Sequence, residues 1–153
     1  MNAYLLRPFS SEEVYMAVKD MGSDKSPGLD EVKGALAKKL NGGLSVVEAE
    51  AVALLRSLEW AKLLGVLLDS VEIDALSVLN LYFSRKNCFS QLRGLLLDIH
   101  VLLSYFPGVS LVHVRKDANR AAHGLARFSL RIDGELVWLE EIPSPIVSVV
   151  LME

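Results

Sequence analysis

His113-Val114-Arg115-Lys116-Asp117-Ala118-Asn119-Arg120-Ala121-Ala122-His123-Gly124-Leu125-Ala126 joins a strand to a helix. The strand is Val109 to Val114, a short apolar run rich in β-branched residues. Arg115 and Lys116 end it, and residues 117–129 carry the spacing of a helix. Basic residues, an asparagine and a histidine thus stand where a strand hands over to a helix, the edge at which α/β folds place ligand sites. His113, inside the strand, reads as structural.

The same alternation runs upstream. Residues 89–105 predict a long helix closed by Phe106-Pro107-Gly108, and residues 75–82 a short one, with Arg85-Lys86-Asn87 as the loop between. Val66-Leu67-Leu68-Asp69-Ser70-Val71-Glu72-Ile73 predicts a strand that ends at Asp74. Val47, Ala51, Leu54, Leu55, Leu58, Ala61 and Leu64 repeat at helical spacing, so residues 46–64 predict a long helix, stopped by Gly65. Glu50 sits near its start. Before it, Glu31 to Leu40 alternates partially and predicts a strand, with Asn41-Gly42-Gly43 as a turn. The order strand, helix, strand, helix, helix, strand, helix is an α/β layout with crossover helices.

Ala49-Glu50-Ala51-Val52-Ala53-Leu54, Val71-Glu72-Ile73-Asp74, the His113–Ala126 block and the ending Trp138-Leu139-Glu140-Glu141-Ile142-Pro143 together resemble the ribonuclease H family, in the version carried by plant retroelements. The resemblance covers about residues 31–145. The most specific string is the last: a basic residue, an Asn, then Ala-His-x-Leu-Ala. It implies two-metal hydrolysis of RNA in an RNA–DNA hybrid, with clustered carboxylates holding Mg²⁺. Glu50 matches the family's helix Glu and Asp74 its strand-end Asp, so these two are the implied metal ligands. His123 takes the last-helix position, and Glu50, Asp74 and His123 are the implied catalytic set. Arg85, Lys86, Arg115, Lys116, Asn119 and Arg120 are the implied nucleic-acid contacts. Taken singly, each feature has a plainer reading: Glu50 as a solvated helix residue, Asp74 as a helix N-cap, the cations as solvated surface charge, Trp60 and Trp138 as core.

The family's first-strand Asp has no counterpart. Arg7-Pro8-Phe9-Ser10-Ser11-Glu12-Glu13-Val14 and Met21-Gly22-Ser23-Asp24-Lys25-Ser26-Pro27-Gly28-Leu29-Asp30 instead resemble the start of a non-LTR (LINE-type) reverse transcriptase. Ser10 and Glu13 have capping-box spacing, and Val14, Ala17, Val18 and Met21 form a helical stripe. The expected division is residues 1–30, a helix and loop of reverse-transcriptase kind; residues 31–145, a truncated ribonuclease H-like domain; and residues 146–153, a C-terminal tail. The expected fold is α/β and ribonuclease H-like, with flanking helices and an incomplete mixed sheet lacking its first two strands. Losing those strands would leave the Glu31–Leu40 strand without a partner.

Composition bounds these readings. The chain has 153 residues, 52% hydrophobic and 23% charged, enough for one packed core. A mean hydropathy of +0.34 is high for a soluble domain. No run approaches the roughly 18 uninterrupted apolar residues of a spanning helix, and Met1 to Phe9 lacks the features of a signal peptide. An intracellular protein of nucleus or cytoplasm is expected, with no membrane segment. The net charge of −3 requires any basic surface to be local. Cys88 is the only cysteine, which excludes disulfides and thiolate zinc sites and reads as a small hydrophobe.

The implied function is a ribonuclease H-like nucleic-acid-binding domain with impaired catalysis, using Mg²⁺ if active and otherwise no cofactor. The partner would be an RNA–DNA hybrid or RNA. The alternative is a non-functional retroelement remnant, or a protein-interaction module without nuclease activity. Whether the chain is an enzyme stays open at this point.

Overall fold

Ser45 starts the longest helix. Its hydroxyl accepts from the Glu48 backbone N–H at 3.3 Å, and the Glu48 carboxylate accepts from the Ser45 N–H at 2.8 Å. Each satisfies a helix-start donor that would otherwise lack a partner. These bonds to Ser45 hold the Glu48 carboxyl below its usual pKa, the side-chain bond contributing most. Ser45-x-x-Glu48 is the spacing that flags a helix start. The helix, α1, runs Val46–Leu63 and buries Ala51, Ala53, Leu54, Leu55, Leu58 and Ala61 on one stripe. Its chain leaves through Gly65, whose φ of 66° is left-handed and suits a residue without a Cβ.

The computed structural model describes residues 14–19, 32–40, 43–84, 90–139 and 141–150, with only the backbone for Val14–Lys19, Val32, Lys33, Ser90 and Val150. In chain order the elements are β1 (Val14–Lys19), β2 (Val32–Lys38), α1, β3 (Ser70–Ile73), α2 (Leu76–Ser84), α3 (Ser90–Leu103), β4 (Ser110–His113), α4 (Arg120–Ser129), β5 (Glu135–Leu139) and a short α5 (Val147–Val150). Single 3-10 turns, Lys116–Asn119 and Ser144–Ile146, lead into α4 and α5. Among the described residues no helix is long and apolar enough to cross a membrane.

Two small sheets share the work. β1, β2 and β5 form one, in that order; β3 and β4 form the other. β3 and β4 are parallel, with Ser70 opposite Ser110 and Ile73 opposite His113, as the two short strand runs on either side of a helical pair require. β2 is antiparallel to both its neighbours. Its side chains alternate: Leu36 packs into the cluster under α1, while Ala35 joins Leu125 of α4 and Ile146 on the other face. Val71, Ile73 and Leu111 of the second sheet pack into the same α1 cluster, together with Val78, Leu92, Ile99 and Phe106 from α2, α3 and the turn after it. α1 and α4 therefore cover opposite faces of β2.

The α/β order, the flanking helices and the small, incomplete sheets are those expected. Three details differ. Val14–Lys19 is a strand, not the helix that the Val14, Ala17, Val18 and Met21 stripe predicts. A short lone helix is marginal in water, whereas β2 offers an open edge and Val14, Tyr15 and Val18 favour extended backbone. β2, in turn, is not left without a partner: Val14 pairs with Lys38 on one side, and Gly34 pairs with Leu139 on the other. The stretch around Trp138 supplies that second partner, and Lys38 and Glu135 close it with an exposed 2.8 Å ion pair of small energetic weight. His113 is exposed rather than packed, since β4 lies near the surface along most of its length. The Pro27-Gly28 loop, Asn41, Gly42 and Cys88 lie outside the described residues.

Candidate functional site

Parallel pairing of β3 and β4 puts their C-terminal ends on one side. The ladder continues past the strands, with Val114 N–H donating to Ile73 O at 2.9 Å. Asp74 follows β3 directly and is half-buried; its carbonyl accepts from Leu76 N–H at 3.1 Å as α2 begins. Past β4 the chain runs through exposed Arg115 and Lys116, half-buried Asn119 and exposed Arg120 into α4. The sequence blocks ending in Asp74 and beginning at His113 thus meet at one edge because the strands that carry them are neighbours.

His123 reports that meeting electrostatically. It is half-buried in the first half of α4. Burial, first, and the charges of Lys116 and Arg127, next, hold its pKa below the ordinary imidazole value, while the Asp74 carboxylate pulls it the other way. Burial and the two cations outweigh the carboxylate, so the imidazole is neutral at pH 7. A neutral imidazole can accept a proton or a hydrogen bond through one nitrogen and donate through the other.

Glu50 lies half-buried in the second turn of α1. Among the described residues, no three His, Cys, Asp or Glu side chains come together as a group that could hold a metal ion. The structure brings Asp74 into electrostatic reach of His123 and adds no third such ligand to them. Arg85 and Lys86 lie outside the described residues. Trp60 packs half-buried against the α1 cluster, and Trp138 against Ala35, Leu125 and Ile146, with its ring 6.0 Å from that of Phe128.

Residues 28–129 match the profile of the reverse transcriptase-like family. The chain belongs to that family. The match spans β2 to the end of α4 and so contains Glu50, Asp74 and His123. The fold is similar to that of ribonuclease H1 from the halophilic archaeon Halobacterium salinarum NRC-1, at 23% identity and a TM-score of 0.51, over 70% of this chain and 92% of that one. No curated protein matches the chain. This reverse transcriptase-like chain therefore has a ribonuclease H-like fold, and its α4 carries the Ala-His-x-Leu-Ala string. Arg127 was not among the residues singled out from the sequence. Its signal was present, since it stands four residues after His123 and seven after Arg120, on one side of a helix.

Proposed function

We propose that this ribonuclease H-like domain binds the backbone of an RNA–DNA hybrid, or of RNA, at the edge formed by Asp74, Arg115, Lys116, Asn119, Arg120 and His123, and that it hydrolyses it poorly. The observation that carries this reading is the juxtaposition of Asp74 with His123 beside the basic turn that follows β4. Arg115, Lys116 and Arg120 are exposed cations that suit phosphate oxygens. Asn119 adds an amide able to donate to phosphate or sugar. Glu50, Asp74 and His123 are the residues assigned to the reacting atoms.

A divalent cation bound here would supply an activated water and neutralise charge on the leaving oxygen. The donor set on hand does not fit that task. Mg²⁺ takes hard oxygen ligands in near-octahedral array, and the described residues gather no three candidate ligands. The side chain acting on Asp74's side of the edge is a neutral imidazole, a donor suited to softer metals. No hydrolytic step is derived through a metal, and the reading favours binding.

Fluorescence anisotropy with a labelled RNA–DNA hybrid, together with a cleavage assay in Mg²⁺ and in Mn²⁺, tests both halves. Binding that weakens steeply with added salt, and no cleavage beyond a trace, is the expected result. Robust cleavage abolished by Asp74→Asn overturns the claim of poor hydrolysis. Absence of binding to hybrid and to RNA overturns the claim of binding and leaves the alternative of a protein-interaction module or a functionless remnant.

A further inference from the structure

α4 has two unlike sides. Leu125, Ala126 and Ser129 are buried on the side that faces the sheet. At about 100° per residue, Arg120, His123 and Arg127 fall within an arc of about 60° on the other side. Arg120 and Arg127 are exposed, and His123 is half-buried between them. Lys116, in the turn that leads into the helix, is exposed as well. Lys116 and Arg127 are both near enough to the His123 ring to help depress its pKa. Asp74 is the carboxylate that acts there in the opposite sense. In a chain of net charge −3, this is a concentrated line of positive charge.

We infer that Arg127 is a phosphate-contacting residue, and that Lys116, Arg120 and Arg127 form one line along which a single nucleic-acid strand lies parallel to the axis of α4. The inference rests on the nucleic-acid reading above and adds to it a residue, a direction and a mode of contact. From Arg120 to Arg127 the helix rises about 10 Å at about 1.5 Å per residue. The line is therefore long enough to meet more than one phosphate of a single strand. Guanidinium groups offer forked donors that fit phosphate oxygens. The line holds no exposed aromatic ring, so it contacts backbone and is indifferent to base sequence.

The experiment is a salt titration of hybrid affinity by anisotropy for the full chain and two variants. Arg127→Gln should weaken binding several-fold at moderate salt and lower the slope of log affinity against log salt by about 0.9, the share of one phosphate contact. Arg56→Gln is the charge-matched control: Arg56 is exposed on α1, on the opposite face of β2, where it pairs with Glu59 at 2.7 Å. It should leave affinity and slope within error of the parent chain. Scrambling the hybrid's sequence should change nothing. Binding by the parent chain that survives Arg127→Gln with an unchanged slope overturns the inference and leaves the functional reading standing. Equal losses in both variants mean a net-charge effect and overturn it too. A parent chain that binds neither hybrid nor RNA overturns the functional reading and this inference together. Matched circular dichroism spectra establish that each variant is folded.

Discussion

Gly34 and Trp60 touch across the layer between β2 and α1: a Cβ built on Gly34 would stand 2.7 Å from Cη2 of the Trp60 ring. The same Cβ would lie 3.0 Å from the Trp138 carbonyl oxygen of β5, an atom held in the sheet ladder. The indole thus closes directly on backbone, and the glycine is what admits both the ring and the neighbouring strand.

Gly34→Ala should therefore destabilise the fold by about 1–3 kcal/mol, the usual cost of overpacking. The gain of about 0.4–1 kcal/mol from reduced unfolded-state entropy applies only where the new side chain fits without strain, which the two close contacts here deny. Urea denaturation of the variant measures the loss. In a Trp60→Phe background, where the ring no longer reaches as far, the same substitution should cost less. Equal costs in both backgrounds would show that the indole does not set the constraint.

The depressed pKa of His123 makes stability depend on pH in a fixed direction. Unfolded, an imidazole titrates near 6.5; folded, burial and the charges of Lys116 and Arg127 hold this one lower. The unfolded state then binds the proton more readily, so the contribution is present above about pH 6.5 and is lost as pH falls through the folded value. Unfolding free energies measured from pH 8 down to pH 5 should decline for the parent chain more than for His123→Asn. Parallel curves would remove His123 from the acid response.

Asp74 opposes that depression. Replacing it by Asn removes the charge that favours the imidazolium, so the His123 pKa should move further down. An NMR titration of the ring carbon-bound protons reads it directly. A pKa unchanged in Asp74→Asn would separate the two residues and withdraw the main support for a shared site.

Gly124 sets a contest between helix propensity and packing. Alanine is the better helix former by about 1 kcal/mol, yet its methyl would meet Ile146 Cγ2 at 2.8 Å. Ile146 is buried and fastens the Ser144–Ile146 turn to α4. Gly124→Ala should be net destabilising in urea, and less so when combined with Ile146→Ala. A stabilised single variant would mean that the turn yields and that the contact is loose.

Much of the fold is legible along the chain because it is local. α1, α3 and the parallel pair β3 and β4 follow from helical repeats, β-branched runs and the helices between them, and each such signal is spent within one element. Asp74 and His123 are legible as residue types at strand and helix ends. Their proximity is legible only through the resemblance and the crossover layout, since no local spacing says which elements meet.

Sequence by itself determined the α/β order of elements, the end-of-strand position of Asp74 and the basic turn running into an Ala-His-x-Leu-Ala helix, because short-range periodicity and residue chemistry encode all three. Only the tertiary structure decided that Val14–Lys19 is a strand, that β2 is flanked by β1 and β5, and that Gly34 must lack a side chain. The Val14–Met21 pattern satisfies a helical period while its β-branched residues also suit a strand, and the choice went to the conformation that completes the hydrogen bonds of β2's open edge. Arg127 belongs to both accounts: helical spacing aligns it with Arg120 and His123, while the burial of the opposite face of α4 is what leaves that line in solvent.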